Sequence, residues 1–330
     1  MSRASLFGLP RRTAIAFLLF LAVMLALPLF IGDYLLSVFI IFLFAAYLGQ
    51  AWNIMMGFAG QLSLGHALYV GLGAYLAAAL FTHFGLPPWI GMIAGMAVAG
   101  LVGTVIGALS FRFGVAGVYF ALITIAFNEF TRILFDHLDW FGGSAGLFLH
   151  VVTVTHDDPW HLRGSPAMFY YLLLAMVLAV LGLSRLLLRR RVGYYWLAIR
   201  EDPAAGEALG INVFGYKLGA VALSAMLTAV AGGVMAFYNN NLYPDNVFTT
   251  ASSVQIITAP FVGGIGTLFG PILGAFVLTG LGEVMTSVSA VFGIAGLKQW
   301  LYGAALLAII IMQPAGLWPW LRRRLRIGEG

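Results

Sequence analysis

About twenty residues at a time pass along this chain with hardly a charge among them, and that pattern decides what the chain can become. Such runs stand near 13–31, 35–55, 62–82, 89–110, 115–134, 167–188, 216–238, 249–267, 270–290 and 296–313. A helix needs about 20 apolar residues to cross the hydrocarbon of a bilayer. Only helices and closed barrels satisfy their own backbone hydrogen bonds there, where no water can. Soluble domains carry roughly a quarter of their residues as charged side chains; here 9% are charged and 62% are hydrophobic. We therefore expect an all-α polytopic membrane protein of about ten transmembrane helices. The eighth and ninth runs are the least regular: Pro260, Gly263, Gly264, Gly266, Gly270 and Pro271 interrupt them, so one of the pair is a candidate re-entrant segment.

The first run follows Arg11 and Arg12. It exceeds the roughly 7–15 residues of a signal-peptide core and has no small-x-small cleavage site after it, so it reads as a retained anchor. The basic residues cluster. Arg3, Arg11 and Arg12 precede span one, Arg112 lies between spans four and five, and Arg185, Arg189, Arg190, Arg191, Arg200 and Lys217 flank the loop between spans six and seven. Arg322, Arg323, Arg324 and Arg326 follow the last span. Short loops rich in Lys and Arg stay in the cytoplasm, and these clusters share one side only if the crossings are even in number and both termini are cytoplasmic. Ten spans satisfy that. The opposite loops carry Asp136, Asp139, Asp157 and Asp158, then Asn239 to Asp245.

The resulting organisation is a cytoplasmic N-terminal segment 1–12, a membrane domain 13–313 and a basic cytoplasmic tail 314–330. Within the membrane domain lie an external loop 136–166 and a cytoplasmic loop 189–215. The net charge of +5 sits beside apolar spans rather than along one face, which points to the bilayer and not to nucleic acid. The absence of cysteine excludes disulfides, thiolate metal sites and a cysteine nucleophile. His150, His156 and His161 with Asp157 and Asp158 match no closed ligand set, so no metal is expected. The external loop reads as a lid or a docking surface for a soluble partner.

Forty-one glycines let helix backbones approach closely in lipid. Two places are broken more densely than packing requires: Gly57-Phe-Ala-Gly60-Gln61-Leu62-Ser63-Leu64-Gly65-His66, and Gly263-Gly264-Ile265-Gly266-Thr267-Leu268-Phe269-Gly270-Pro271. Both contain Gly-x-x-Gly-x-Leu. Matched breaks in the two parts of a transporter point to a midplane translocation site, because unwound backbone is tolerated only against protein or a wet cavity. Tight turns at the membrane interface are the competing reading. The candidate pathway residues are Gly57, Gly60, Gln61, Ser63 and His66, with Gly263, Gly264, Gly266 and Gly270. His66 titrates near neutral pH when exposed, but a lone histidine at a membrane boundary is more often bonded to backbone, and we assign it no proton transport. Glu129 and Arg132 in span five lie three apart on one helical face, which favours a structural ion pair over substrate contact.

Between spans six and seven runs a polar segment, Arg200-Glu-Asp-Pro-Ala-Ala-Gly-Glu-Ala-Leu-Gly-Ile-Asn212. The residue before a proline is pushed out of helical geometry, so Asp202 suits an N-cap with Pro203 in the first turn. Gly210 suits a left-handed C-terminal cap. About two turns are too short to persist alone in water, and Gly206 weakens them by roughly 1 kcal/mol. Ala204, Ala205, Ala208 and Leu209 give a smooth face, while Glu201 and Glu207 offer charges to a basic groove. A helix docked on a partner explains the small residues better than a solvated loop does.

Ile199–Asn212, Gly57–His66, Asn128-Glu-Phe-Thr-Arg132, Gly142-Gly-Ser-Ala-Gly-Leu147 and Gly263–Gly274, taken in order, resemble the permease subunits of branched-chain amino acid ABC importers of the LivM type. The resemblance covers about residues 35 to 313. It implies a bacterial inner-membrane importer of this chain, a second homologous permease, two ATP-binding subunits and an external solute-binding protein. It also implies that Glu201 to Gly210, with Glu201, Asp202, Ala204, Ala205, Glu207, Leu209 and Gly210 as contact residues, is the coupling helix that receives the ATPase stroke. Val192-Gly193-Tyr194-Tyr195-Trp196 departs from the family's small-residue, Arg-rich lead-in, which keeps urea or short amides open as substrates. Lys217 and Lys298 are the sole lysines and no Gly-x-x-x-x-Gly-Lys-Ser/Thr exists, so ATP and magnesium belong to the partner subunits and this chain holds no cofactor. An ion-coupled secondary transporter would want midplane carboxylates; Asp33, Glu129 and Glu283 lie near span ends or breaks. A membrane-embedded enzyme would want a nucleophile–base pair or a metal, and no such constellation is present.

Overall fold

The computed structural model describes residues 21–149, 157–293 and 296–324 of the 330. The apolar runs become helices α1 (Asp33–Asn53), α2 (His66–Phe84), α3 (Pro88–Arg112), α4 (Val118–Asp136) and α5 (Pro166–Arg189). After two shorter helices, α6 (Arg191–Glu201) and α7 (Pro203–Ala208), come α8 (Val213–Asn239), α9 (Thr250–Gly263), α10 (Gly270–Phe292), α11 (Leu297–Met312) and α12 (Leu317–Arg324). Seven helices among the described residues are long and apolar enough to cross a membrane: α1 with its continuation to Phe58, α2, α3, α4, α5, α8 and α10. Bent by 54°, α11 and α12 make an eighth if counted as one span.

The ten apolar runs therefore do not all become helices of spanning length. Residues 13–20 of the first run lie outside the described residues; 21–26 are helical and end in a 3-10 turn at Leu27–Leu29, where Pro28 cannot continue the helix. The eighth run stops at Gly263, because Gly264 takes φ +119°. That leaves a helix of 14 residues, about 21 Å long at 1.5 Å per residue against roughly 30 Å of hydrocarbon. The expected tail 314–330 contains α12, and 325–330 fall outside the described residues together with the 1–12 segment.

The core sits where α2, α3 and α8 cross. An added Cβ at Gly73 would lie 1.9 Å from the Ala229 carbonyl oxygen, and one at Gly232 would lie 2.0 Å from that of Val70. These backbones are in contact. In lipid, where apolar side chains gain nothing from leaving water, such close packing supplies the attraction between helices.

Contacts sort the helix ends onto two faces. On one, α6 reaches the break after α1, Lys217 lies over the Phe111 ring at 5.6 Å, and Gly316 packs on Gly264. Arg112, Arg189–Arg191, Arg200 and the α12 arginines all belong to this arginine face. The opposite face carries the described parts of the 136–166 loop; His150 and His156 lie outside the described residues. There Leu147–Phe148 pairs antiparallel with Asn241–Leu242. Buried Arg163 donates to Asn240 Oδ1 at 2.6 Å and stands over the Phe81 and Phe237 rings. His161 bonds Asp158 at 2.7 Å and holds that carboxyl below the usual carboxylate range. The described parts of the loop are thus pinned over α2 and α8.

Replacing Gly73 by alanine is expected to force α2 from α8 and cost about 1–3 kcal/mol, the usual cost of overpacking. Gly182→Ala, where a Cβ meets nothing within 4 Å, is expected to leave stability unchanged or raise it. Thermal unfolding of the two purified variants in detergent checks both.

Candidate functional site

Directly after α1 the helix loosens into a wider turn, Ile54–Phe58, and the chain then runs non-helically to His66. Just before the loosening lies Asn53, fully buried. Its Oδ1 accepts the Gly266 N–H at 2.8 Å, and its Nδ2 donates to the Thr267 carbonyl at 3.0 Å. One turn earlier, Gln50 Nε2 donates to the Leu268 carbonyl at 2.5 Å. The end of α1, just before the first glycine-broken segment, is therefore stitched to the second by side-chain amides that act as surrogate backbone. A Cβ on Gly57 would lie 2.0 Å from Asn53 Oδ1 and 2.7 Å from Gly266 N, so only glycine permits this approach. The 264–270 turn is folded by Thr267, whose Oγ1 donates to the Gly264 carbonyl at 2.7 Å and accepts from Gly270 N at 3.1 Å.

A third part of the chain enters the seam. Arg200, in the last turn of α6, donates from Nη1 to the Gly57 carbonyl at 2.6 Å. Its stem crosses Gly60, where a Cβ would sit 3.0 Å from Arg200 Cγ, and a Cβ on Gly266 would sit 2.6 Å from Arg200 Nη1. Its Nη2 also bonds Glu201 Oε1 at 2.7 Å.

The remaining candidate pathway residues pack inside the protein. His66 is fully buried, with Nε2 at 2.9 Å from Ser224 Oγ and Nδ1 at 3.2 Å from Ser63 Oγ. Ser224 gives its own proton to the Ala51 carbonyl at 2.7 Å. Nε2 must then carry the imidazole proton and Nδ1 accept from Ser63, so the neutral ring is satisfied on both sides. Gln61 Nε2 turns back to the Ala59 carbonyl at 2.8 Å. Gly263 ends α9 directly against Gly270, where an added Cβ would lie 1.7 Å from the Gly270 carbonyl.

On the arginine face, Asp202 caps α7: its Oδ1 accepts from Ala204 N at 2.9 Å and Ala205 N at 3.2 Å. At the other end Gly210 has φ +80°, with Gly210 N bonded to the Glu207 carbonyl at 2.9 Å and Ile211 N to the Gly206 carbonyl at 3.1 Å. That pair of bonds is a Schellman cap. Every residue from Glu201 to Gly210 is exposed except Gly206, and Leu209 is 81% exposed. The expected boundary shifts slightly, since Glu201 closes α6 and lies before the short helix. The 11 residues of α6, folded against α8 through Trp196 Nε1 on the Tyr216 carbonyl at 2.9 Å, carried no clear sequence signal.

Above the seam lies a cavity of about 730 Å³ among α1, α2, α8, α9, α10 and α11. Asn239, Gln255, Glu283 and Lys298 line its loop-face part, and Leu48 and Ala259 its floor. The Tyr34 hydroxyl donates to Glu283. Just below the floor, Gly49 is pressed against Pro260 and Pro271, with a would-be Cβ 3.1 and 3.4 Å from them.

Glu129 and Arg132 are 2.8 Å apart, and Arg132 Nη1 also reaches Asp245 at 2.5 Å. Thr250 Oγ1 donates to Glu129 at 3.1 Å, and Asn128 Nδ2 to the Phe248 carbonyl at 2.6 Å. This network clamps α4 to the segment between α8 and α9. Sequence reasoning reached the pair but not Asp245, and reached the glycines but not Asn53, Gln50 or the reach of Arg200. Two amides three residues apart in an otherwise apolar run were the available signal, since a polar group buried in hydrocarbon demands a partner.

The chain is 30% identical over 306 residues to the high-affinity branched-chain amino acid transport system permease protein LivM of Escherichia coli, a match covering 86% of this chain and 69% of that protein. It is 29% identical to the LivM protein of Salmonella typhimurium over the same shares. The fructose import permease protein FrcC of Rhizobium meliloti is 24% identical over 294 residues, 83% of this chain and 74% of that one. No solved structure matches significantly. The profile of the family described as branched-chain amino acid transport system / permease component matches residues 30–312, and the chain belongs to that family.

Proposed function

We propose that this chain is a permease subunit of a binding-protein-dependent ABC importer and carries branched-chain amino acids inward across the bacterial inner membrane. ATP is hydrolysed by two partner subunits, a second homologous permease completes the membrane part, and an external solute-binding protein delivers the substrate. The observation that carries the reading is α7. It is a two-turn helix, capped at both ends, whose alanines and Leu209 are presented to solvent on the arginine face. A helix this short is not self-sustaining, and exposing a leucine so fully calls for a partner.

In this reading Glu201, Asp202, Ala204, Ala205, Glu207, Leu209 and Gly210 form the surface that receives the ATPase stroke. The arginine face is cytoplasmic, as the positive-inside bias favours. With the N-terminal run counted and α9 and α11 as short crossings, ten passages leave both termini in the cytoplasm. The cavity is the outward-opening part of the path. The seam beneath it is the closure, so the glycines of the two breaks act as the gate's hinge rather than as ligands. Glu129 and Arg132 hold the external framework.

The LivM relatives support branched-chain amino acids as the substrate, while the similarity to a fructose permease keeps other small polar molecules in play. Identifying the molecule that co-purifies with the cognate solute-binding protein decides between them; leucine, isoleucine or valine is expected, and urea, a short amide or a sugar would overturn the substrate assignment.

In proteoliposomes containing the assembled complex, replacing Glu201 or Gly210 is expected to cut uptake at least tenfold while ATP hydrolysis continues. Normal uptake by both variants would contradict the coupling role. By contrast, a Cβ on Gly206 meets its neighbours only at 3.6–3.9 Å, ordinary contact. Gly206→Ala should therefore stabilise α7 by about 0.5–1 kcal/mol and preserve uptake, which slower hydrogen exchange at residues 204–210 would report.

A further inference from the structure

We propose that Arg200 is the positioning residue that carries movement of the α7 helix into the membrane seam; this rests on the reading that α7 docks the ATPase. The side chain bridges the end of α6, from which α7 follows after Asp202, and the break after α1 directly. Its guanidinium donates at once to the Gly57 carbonyl, 2.6 Å away, and to Glu201 Oε1, 2.7 Å away. It is seated in a slot that three glycines leave open. Gly60, with φ +70°, takes its stem; Gly266, with φ +74°, takes its Nη1; Gly57 presents the carbonyl.

The bonds continue inward from there. Gly266 N is held by Asn53 Oδ1 at 2.8 Å, and Asn53 and Gln50 lie within two turns of the cavity floor at Leu48. Arg200 therefore touches both broken segments at the point where they meet. At its outer end it is paired with an exposed carboxylate, since the Glu201 side chain is 74% exposed. A basic group on an ATPase surface competes for that carboxylate. When it takes Glu201, the guanidinium keeps only its seam contacts, and its pull on Gly57 changes with the docking state. Arginine suits the task because its planar fork makes two bonds in fixed relative directions, which a lysine ammonium cannot reproduce.

The test uses the complete importer in proteoliposomes, with labelled leucine as the probe. It compares wild type, Arg200→Gln, Arg200→Lys and Gly266→Ala, the last crowding the guanidinium while keeping its charge. Arg200→Gln and Gly266→Ala are expected to lower uptake at least tenfold. ATP hydrolysis is expected to continue but no longer to rise when loaded solute-binding protein is added. Arg200→Lys should recover part of the uptake. A purely structural role would instead reduce hydrolysis and uptake in parallel with the amount of complex recovered, and that result overturns the proposal. If Arg200→Gln fails to assemble, Arg200→Lys and Gly266→Ala decide: uptake within twofold of wild type in Gly266→Ala overturns the proposal, and uncoupling in Gly266→Ala with reduced uptake in Arg200→Lys supports it. Uncoupling by Glu201 or Gly210 variants alongside normal Arg200 variants defeats this inference alone. Normal uptake in all of them defeats the docking reading beneath it.

Discussion

A carboxamide sealed from water inside a membrane protein must find both a donor and an acceptor, and Asn53 finds them in the backbone of a segment 213 residues away. An unpaired amide in that setting costs several kcal/mol, about 2–7 by transfer measurements. Regular helices offer it nothing, because their N–H and C=O groups are already used. Only an unwound stretch presents a free N–H beside a free C=O, and the 264–270 turn presents Gly266 N and the Thr267 carbonyl. The polar residue in one apolar run and the break in the other are thus two halves of one requirement.

The rest of the architecture is arranged around that junction. The α2–α3–α8 crossing supplies a stiff body whose backbones touch, and α1, α9 and α10 meet beside it. The cavity lies above the junction and α6 and α7 lie on its other side. On the loop face, Arg132 with Glu129 and Asp245, and Arg163 with Asn240, pin the helix ends. With one end fixed and the other tied to a short exposed helix, the seam is, in the reading proposed above, where displacement at the arginine face would be felt. Gly57, Gly60 and Gly266 are where its parts come closest together, with no room for a Cβ at ordinary distance.

What the sequence reveals and hides follows the range of each interaction. The caps of α7 were legible because Asp202, Pro203 and Gly210 act on neighbours within a few residues. The Glu129–Arg132 pair was legible for the same reason. Asp245, Thr250 and Phe248, which complete its network, lie more than a hundred residues away and share no pattern with it. The glycine breaks could be seen, but not what they leave room for: Gly57 makes space for Asn53 and Gly266, and Gly60 for Arg200. Hydropathy also overstates helix length, since it reads 249–267 as one run when a positive φ at Gly264 ends the helix there. His66, which drew attention as a titratable group, proves to be enclosed by two serines.

The chain contains no cysteine, so a thiol placed at Ala45, half-buried on the cavity wall, is the only one it carries. Its rate of reaction with a membrane-impermeant thiol reagent added outside, measured in the assembled importer with and without ATP, reports directly whether events at the arginine face reach the cavity. If the seam transmits them, the rate changes severalfold with nucleotide. The same rate in both conditions, in complexes that hydrolyse ATP and transport normally, would contradict that transmission.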